Sequence, residues 1–126
     1  MSKKIISTDK APAAIGPYSQ AIKADDFIFT SGQIPIDPKS GKIETTDIVG
    51  QTKQVMQNLS EVLKAAGTDF SKVVKTTIFL VDLSHFKAVN EIYAGYFPKD
   101  PPARSTIQVA KLPKDSLIEI EMTALA

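Results

Sequence analysis

Two residue types near the end of the chain are suited to chemistry on a small anion. Arg104 lies in Pro102-Ala103-Arg104-Ser105-Thr106-Ile107 and Glu119 in Leu117-Ile118-Glu119-Ile120-Glu121-Met122, each at or inside a β-type run. An arginine presents a planar fork that grips a carboxylate through two parallel hydrogen bonds and stays charged at any working pH. A glutamate partly screened from water exchanges protons close to neutrality. Together they suggest a site that holds a small anionic substrate and moves protons on it. The competing reading is an ion pair on a sheet surface, and pattern alone leaves both open.

Other chemistries find less support. His85 is the only histidine and there is no cysteine, so thiol nucleophiles, disulfides and thiolate metal sites drop out, and no metal site is expected. A Ser-His-Asp triad would also require His85, and no serine sits in a nucleophile-elbow setting. Ser31-Gly32-Gln33 carries one glycine, too few for a phosphate loop. Gly32 at a strand end either lets a ligand approach the backbone closely or simply makes a bend. Tyr18, after the rigid Gly16-Pro17 turn, either covers a pocket or packs half-buried. Asn90 is expected to face away from the apolar stripe of its helix.

With 126 residues, 43% hydrophobic and 23% charged, the chain is expected to form a single domain over residues 1–126 with an ordinary core. Fifteen basic residues against fourteen acidic ones leave a net charge of +1, which argues against a nucleic-acid footprint. Ile78-Phe79-Leu80-Val81 is the longest strongly apolar run, far short of a membrane span. The N-terminus is short and polar for a signal peptide, so a cytoplasmic protein is expected.

The elements that must position these residues follow from periodicity. Ile5-Ile6 predicts a first strand, and Tyr18–Lys23 with Phe27–Ser31 a hairpin about Ala24-Asp25-Asp26. The stretch 34–46, with two prolines and a glycine, predicts a loop holding at most a strand fragment. Ile48, Thr52, Val55, Leu59, Val62, Leu63 and Ala66 form one stripe of a helix capped by Asp47 and ended by Gly67. Val73–Val81 reads as a central strand. A second helix starts at Asp82 or Ser84 and runs to Phe97, with Phe86, Val89, Ile92 or Tyr93, and Tyr96 on its buried face. Arg104–Ala110 and Leu117–Leu125 close the fold as strands joined by Leu112-Pro113-Lys114-Asp115.

This order predicts an α/β (α+β) fold, a mixed sheet with two helices packed on one face. Ile118, Ile120, Met122 and Ala124 should lie under the helices. Leu117, Glu119, Glu121, Thr123 and Leu125 form a half-polar second face, suited to a subunit interface or a site. If the closing strands pair as a hairpin, Arg104 lies opposite Thr123 and Glu119 is roughly 13 Å away along the strands, at about 3.4 Å per residue. One chain would then not close the site alone, and an oligomer is expected.

The sequence also resembles the RidA (YjgF-type) family of reactive-intermediate deaminases over essentially its whole length. The resemblance is densest at Ala11-Pro-Ala-Ala-Ile-Gly-Pro-Tyr18, Thr30-Ser-Gly-Gln-Ile-Pro35, Val74-Lys-Thr-Thr77 and Pro102-Ala-Arg-Ser105 through Leu112-Pro-Lys-Asp115 to Ile118-Glu-Ile120. It implies a chorismate-mutase-like domain and a homotrimer whose sheets line a central barrel, with sites between subunits. It implies hydrolysis of 2-imino acids or their enamine tautomers (2-iminobutanoate, 2-iminopropanoate) to 2-keto acids and ammonia, without a cofactor. On this chain it assigns the carboxylate anchor to Arg104 and the water-positioning group to Glu119. Tyr18, Ser31, Gly32 and Asn90 fall at the family's substrate-lining positions. Thr106 stands at another, where many members carry cysteine, and Gln108 replaces a frequent glutamate. Two readings compete with the deaminase: a non-catalytic binder of small keto acids, and, less favoured by charge, an endoribonuclease or translation inhibitor.

Overall fold

The computed structural model describes residues 2–126. Its elements are β1 (Lys3–Ile6), β2 (Ala21–Ala24), β3 (Phe27–Thr30), β4 (Ile36–Asp37), β5 (Lys42–Ile43), α1 (Ile48–Ala65), β6 (Val73–Leu80), α2 (Phe86–Ala94), β7 (Ala103–Gln108) and β8 (Ile118–Leu125). Six strands form one mixed sheet in the order β1-β2-β3-β8-β6-β7, and β4 pairs with β5 in a small separate hairpin.

Local chemistry accounts for most of these elements. Asp47 caps α1 by accepting the Gly50 N–H, and Gly67 leaves the helix with φ +82, a conformation that costs glycine nothing. Asp25 supplies the positive φ (51°) that the tight β2–β3 turn requires. The 34–46 segment holds only the two short strands β4 and β5. The buried Asn58 ties it to α1 by donating to the carbonyls of Ile34 (3.3 Å) and Ile36 (2.9 Å). The second helix is shorter than its apolar pattern suggests, since residues 83–85 form a separate 3-10 turn.

Both helices cover one face of the sheet. β8 alternates as expected, with Ile118, Ile120, Met122 and Ala124 buried and Glu121 and Leu125 exposed. Ile28, Ile78 and Leu80 join them beneath Val55, Met56, Leu59, Val62 and Leu63 of α1. Each such side chain contributes about 1.5–3 kcal/mol of hydrophobic stabilisation relative to exposure. The opposite face is open and partly apolar, with Ile5, Phe27, Phe29, Ile107 and Leu125 all exposed.

The closing strands do not pair with each other. β6 lies between them, parallel to β7 and antiparallel to β8, so Arg104 is in register with Thr76 rather than opposite Thr123. The physical reason is the crossover: a strand that follows β6 through α2 returns parallel beside it, as a βαβ unit does. The following link then passes over the end of β6, held by Val109 N–H to Leu80 O (2.8 Å) and Val81 N–H to Leu117 O (3.2 Å). Pro113–Asp115 within it forms a 3-10 turn, not a hairpin turn, with Lys114 and Asp115 both at positive φ.

Candidate active site

Alternation along β8 aims Glu119 at the open face, in register with Phe79. Its carboxyl is half-buried, and desolvation pushes its pKa above the ordinary glutamate value, with the nearby Glu121 charge adding to the rise. The chain makes room for it at Ser31-Gly32. From Phe29 to Gln33 there are four steps on one strand, while their partners Thr123 and Ile120 are three steps apart, so the backbone bulges. A Cβ on Gly32 would overlap Glu119 Oε2 and come within 2.7 Å of its Cδ. Of the two sequence readings of Gly32, the bend holds, and the group that approaches its backbone closely here is the Glu119 side chain.

Glu119 and Gly32 line a cleft of about 530 Å³ together with Tyr18, Ile34, Pro113 and Lys114. Tyr18 follows a three-residue turn, its N–H donating to Gly16 O (2.8 Å) across Pro17. The residue is 52% exposed and borders the cleft. Ser31 is engaged differently: its hydroxyl donates to Ser19 O (2.6 Å) and its N–H to Gln20 O (2.9 Å), which braces the Tyr18 loop. Gln20 completes that brace. It is buried, accepts from Thr8 N–H (2.7 Å) and donates to Thr8 O (3.0 Å) and Pro12 O (2.8 Å). The sequence reading passed over Gln20, because a glutamine beside a strand carries no periodic signal of burial.

Arg104 is elsewhere. It shares the helix-side face of the sheet with Thr76, on the edge strand β7, and its guanidinium lies 5.0 Å from the Tyr93 ring centroid and 5.5 Å from that of Phe86. Thr106, two residues on and therefore on the same face, has a buried hydroxyl with no hydrogen-bond partner among the described residues. Gln108 ends the row and accepts the Leu83 N–H (2.9 Å), fastening the start of the second helical segment.

Asn90 lies on the same helix as the two rings that Arg104 meets. It stands four residues after Phe86 and three before Tyr93, so it shares their stripe of α2 and does not face away. It is partly buried, at the margin of the stripe that Val89 and Tyr93 bury. Only Val89 and Tyr93 of α2 are buried, and Phe86 is 41% exposed.

The candidate residues thus form two groups on opposite faces of the sheet. Glu119, Gly32 and Tyr18 line the cleft, while Arg104, Thr106 and Asn90 stand at the β7–α2 edge. The surface ion-pair reading of Arg104 with Glu119 does not hold. The ion pairs among the described residues are Lys64–Glu61 and Lys111–Asp115, both involving exposed lysines. Separation of the two charges, inferred earlier from a hairpin register, is retained on a different ground: they point in opposite directions. Among the described residues no three His, Cys, Asp or Glu side chains converge as metal ligands, and no helix is long and apolar enough to cross a membrane.

Comparison with known proteins gives this arrangement a context. Residues 8–126 match the family model described as Endoribonuclease L-PSP. A mouse protein named 2-iminobutanoate/2-iminopropanoate deaminase is 54% identical over 98% of this chain and 91% of its own. The chloroplastic Reactive Intermediate Deaminase A of Arabidopsis thaliana is 56% identical, with the chain spanning 66% of that protein's length. Among solved structures, the Rid-family protein YyfA of Yersinia pestis superposes with a TM-score of 0.97 at 49% identity, covering 99% of this chain and 100% of that one. The YjgF gene product of E. coli gives 0.92 at 45% identity, covering 97% and 98%. A family match over residues 8–126, a relative 54% identical along nearly its whole length and superposition on Rid-family structures place this chain in the RidA (YjgF) family, to which it belongs.

Proposed function

We propose that the protein hydrolyses reactive 2-imino acids, such as 2-iminobutanoate and 2-iminopropanoate, to 2-keto acids and ammonia. The observation that carries this reading is the complementary state of its two groups. Among the described residues Arg104 stands without a carboxylate partner on one face, and Glu119 stands half-buried in a cleft on the other. The names of the 54–56% identical mouse and plant relatives support the same chemistry.

The reaction needs little more than what these groups supply. The C=N carbon is already electrophilic, so the substrate must be held by its carboxylate and met by water. Arg104 pairs with the carboxylate through its fork, and Asn90 and the free Thr106 hydroxyl border that position. Glu119, as carboxylate, takes a proton from the attacking water while its oxygen bonds to the imine carbon. That proton passes to nitrogen, giving a carbinolamine; the proton left on its hydroxyl then moves through Glu119 to nitrogen as the C=O forms and the C–N bond breaks, so ammonia leaves with the keto acid behind. A raised Glu119 pKa suits both halves of this transfer, because a base closer to neutrality is also a better acid afterwards. Such acid–base assistance is worth roughly 10²–10⁴-fold. Water is the only co-reactant, so the scheme calls on no cofactor or metal.

Because one chain presents the two groups on opposite faces, the working site joins the cleft of one copy to the β7–α2 edge of another. The exposed apolar residues of the open face, Phe27, Phe29, Ile107 and Leu125, favour such an assembly, and we take it to be a homotrimer acting in the cytoplasm. Release of 2-ketobutyrate from freshly generated 2-iminobutyrate tests the proposal. Arg104→Ala should abolish the enzymatic rate while leaving the mass in solution unchanged; wild-type rate in that variant would remove Arg104 from the site. Keto-acid binding without imine turnover by the wild type would make the protein a sensor of small carboxylates instead. The endoribonuclease in the family model's description is not adopted for this chain, whose charge balance of +1 and lone His85 offer little to an RNA backbone.

A further inference from the structure

An arginine that must receive a carboxylate faces a conflict. A long flexible side chain needs something to hold it, yet an acidic holder would occupy the donors that the substrate requires. Arg104 is held in another way. Its guanidinium lies over two aromatic rings of α2, Phe86 and Tyr93, and takes part in neither ion pair found among the described residues. A π face attracts the cation through the ring quadrupole and restrains its plane, while the N–H groups at the rim of that plane stay available.

The two rings are themselves fixed to different degrees. Tyr93 is buried, its hydroxyl 2.7 Å from Thr76 Oγ1, and Thr76 is the β6 residue in register with Arg104. Strand, helix and guanidinium are thereby tied in one short chain of contacts. Phe86 opens α2 with 41% of its surface exposed. An aromatic residue so placed adds little to the core; the group it does meet is Arg104.

We propose that Phe86, with Tyr93 behind it, is a positioning residue for the substrate's carboxylate: the rings hold the Arg104 plane and leave its fork open. The proposal rests on Arg104 being the carboxylate anchor. It predicts that Phe86 acts on binding and not on the chemical step. In Phe86→Leu, KM for 2-iminobutyrate and Kd for 2-ketobutyrate should rise together by about 2- to 5-fold, the range for a partly exposed cation–π contact. The value of kcat should stay within about twofold, as expected when an interaction common to ground and transition states is removed. Phe86→Tyr, which restores a ring, should recover both constants.

Four results would overturn it: unchanged KM and Kd in Phe86→Leu, a fall in kcat with KM unmoved, no recovery in Phe86→Tyr, or a lower mass in solution, which would make Phe86 an interface residue. Arg104→Ala, measured alongside, separates the two levels. If it retains the wild-type Kd for 2-ketobutyrate, the anchor assignment itself fails and the bracket falls with it. If it loses binding while Phe86→Leu does not, only the bracket fails.

Discussion

Substituting Gly32 by alanine should disable the site with little effect on the fold. The added methyl would overlap Glu119 Oε2, with Cδ at 2.7 Å and Cγ at 3.0 Å, so the carboxyl must swing away. The atoms in the way belong to the outer part of a half-buried side chain and not to backbone, so relief comes from rotation. An off-rotamer or displaced glutamate costs on the order of 0.5–1.5 kcal/mol, which is the stability loss expected in urea unfolding. The catalytic cost is larger, because displacing a reacting group by about 1 Å loses on the order of 10²-fold. Steady-state release of 2-ketobutyrate from 2-iminobutyrate reads this directly. A second arm isolates the cause: in a Glu119→Ala background the clash has no partner, and Gly32→Ala should then be neutral in stability. A Gly32→Ala enzyme within threefold of wild type would refute the reasoning. So would a stability loss well above about 3 kcal/mol, since that would place the clash on the backbone.

Glu119→Gln should lower turnover by roughly 10²–10⁴-fold. In the wild type, kcat/KM should rise with pH through a midpoint above the ordinary glutamate pKa of 4.5, and Glu121→Gln should move that midpoint down. The same raised pKa makes the folded state bind more protons than the unfolded one. Its contribution to stability is complete below the unfolded pKa and lost as pH rises through the folded one, a loss that Glu119→Gln should not show in urea melts across that range. Thr106→Val removes a buried hydroxyl that has no partner among the described residues, so stability should hold or rise by up to about 1 kcal/mol while KM rises about 3- to 10-fold; an unchanged KM would detach Thr106 from the substrate. Asn58→Leu strips the donors from the Ile34 and Ile36 carbonyls and should cost about 2–3 kcal/mol by urea unfolding, with a smaller loss placing those carbonyls in contact with water.

The sequence made faces legible better than neighbours. The α1 stripe and the β8 alternation both identify which residues are buried, because burial imposes a period on a helix or strand whatever lies beside it. Strand order carries no such period. β7 and β8 follow one another with turn residues between them, and only the crossover through α2 reveals that β6 separates them. β7 misleads even about faces: its helix-side residues are Arg104, Thr106 and Gln108, while Ile107 points outward at 44% exposure. At a sheet edge, where helix cover ends, binary patterning no longer reports the core. The half-polar face of β8 marked the side of the sheet on which Glu119 lines the cleft, and residue type together with the family signature singled out Arg104 and Glu119. Neither showed that the two residues lie on opposite faces of the sheet. The buried amides of Gln20, Gln51 and Asn58 also escaped pattern reading, since each is buried by the backbone groups it satisfies and not by its hydrophobicity.

That opposition makes mixed assemblies the most direct test of the account. Arg104→Ala and Glu119→Ala chains, each inactive alone, would be unfolded together, refolded at equal concentration and assayed for 2-ketobutyrate release. A site that takes its arginine from one copy and its glutamate from the next becomes whole wherever an Arg104-bearing chain adjoins a Glu119-bearing one, giving about a quarter of wild-type activity with random assortment. Activity no higher than that of either variant alone would mean that both residues act from the same chain, and would contradict a site shared between subunits.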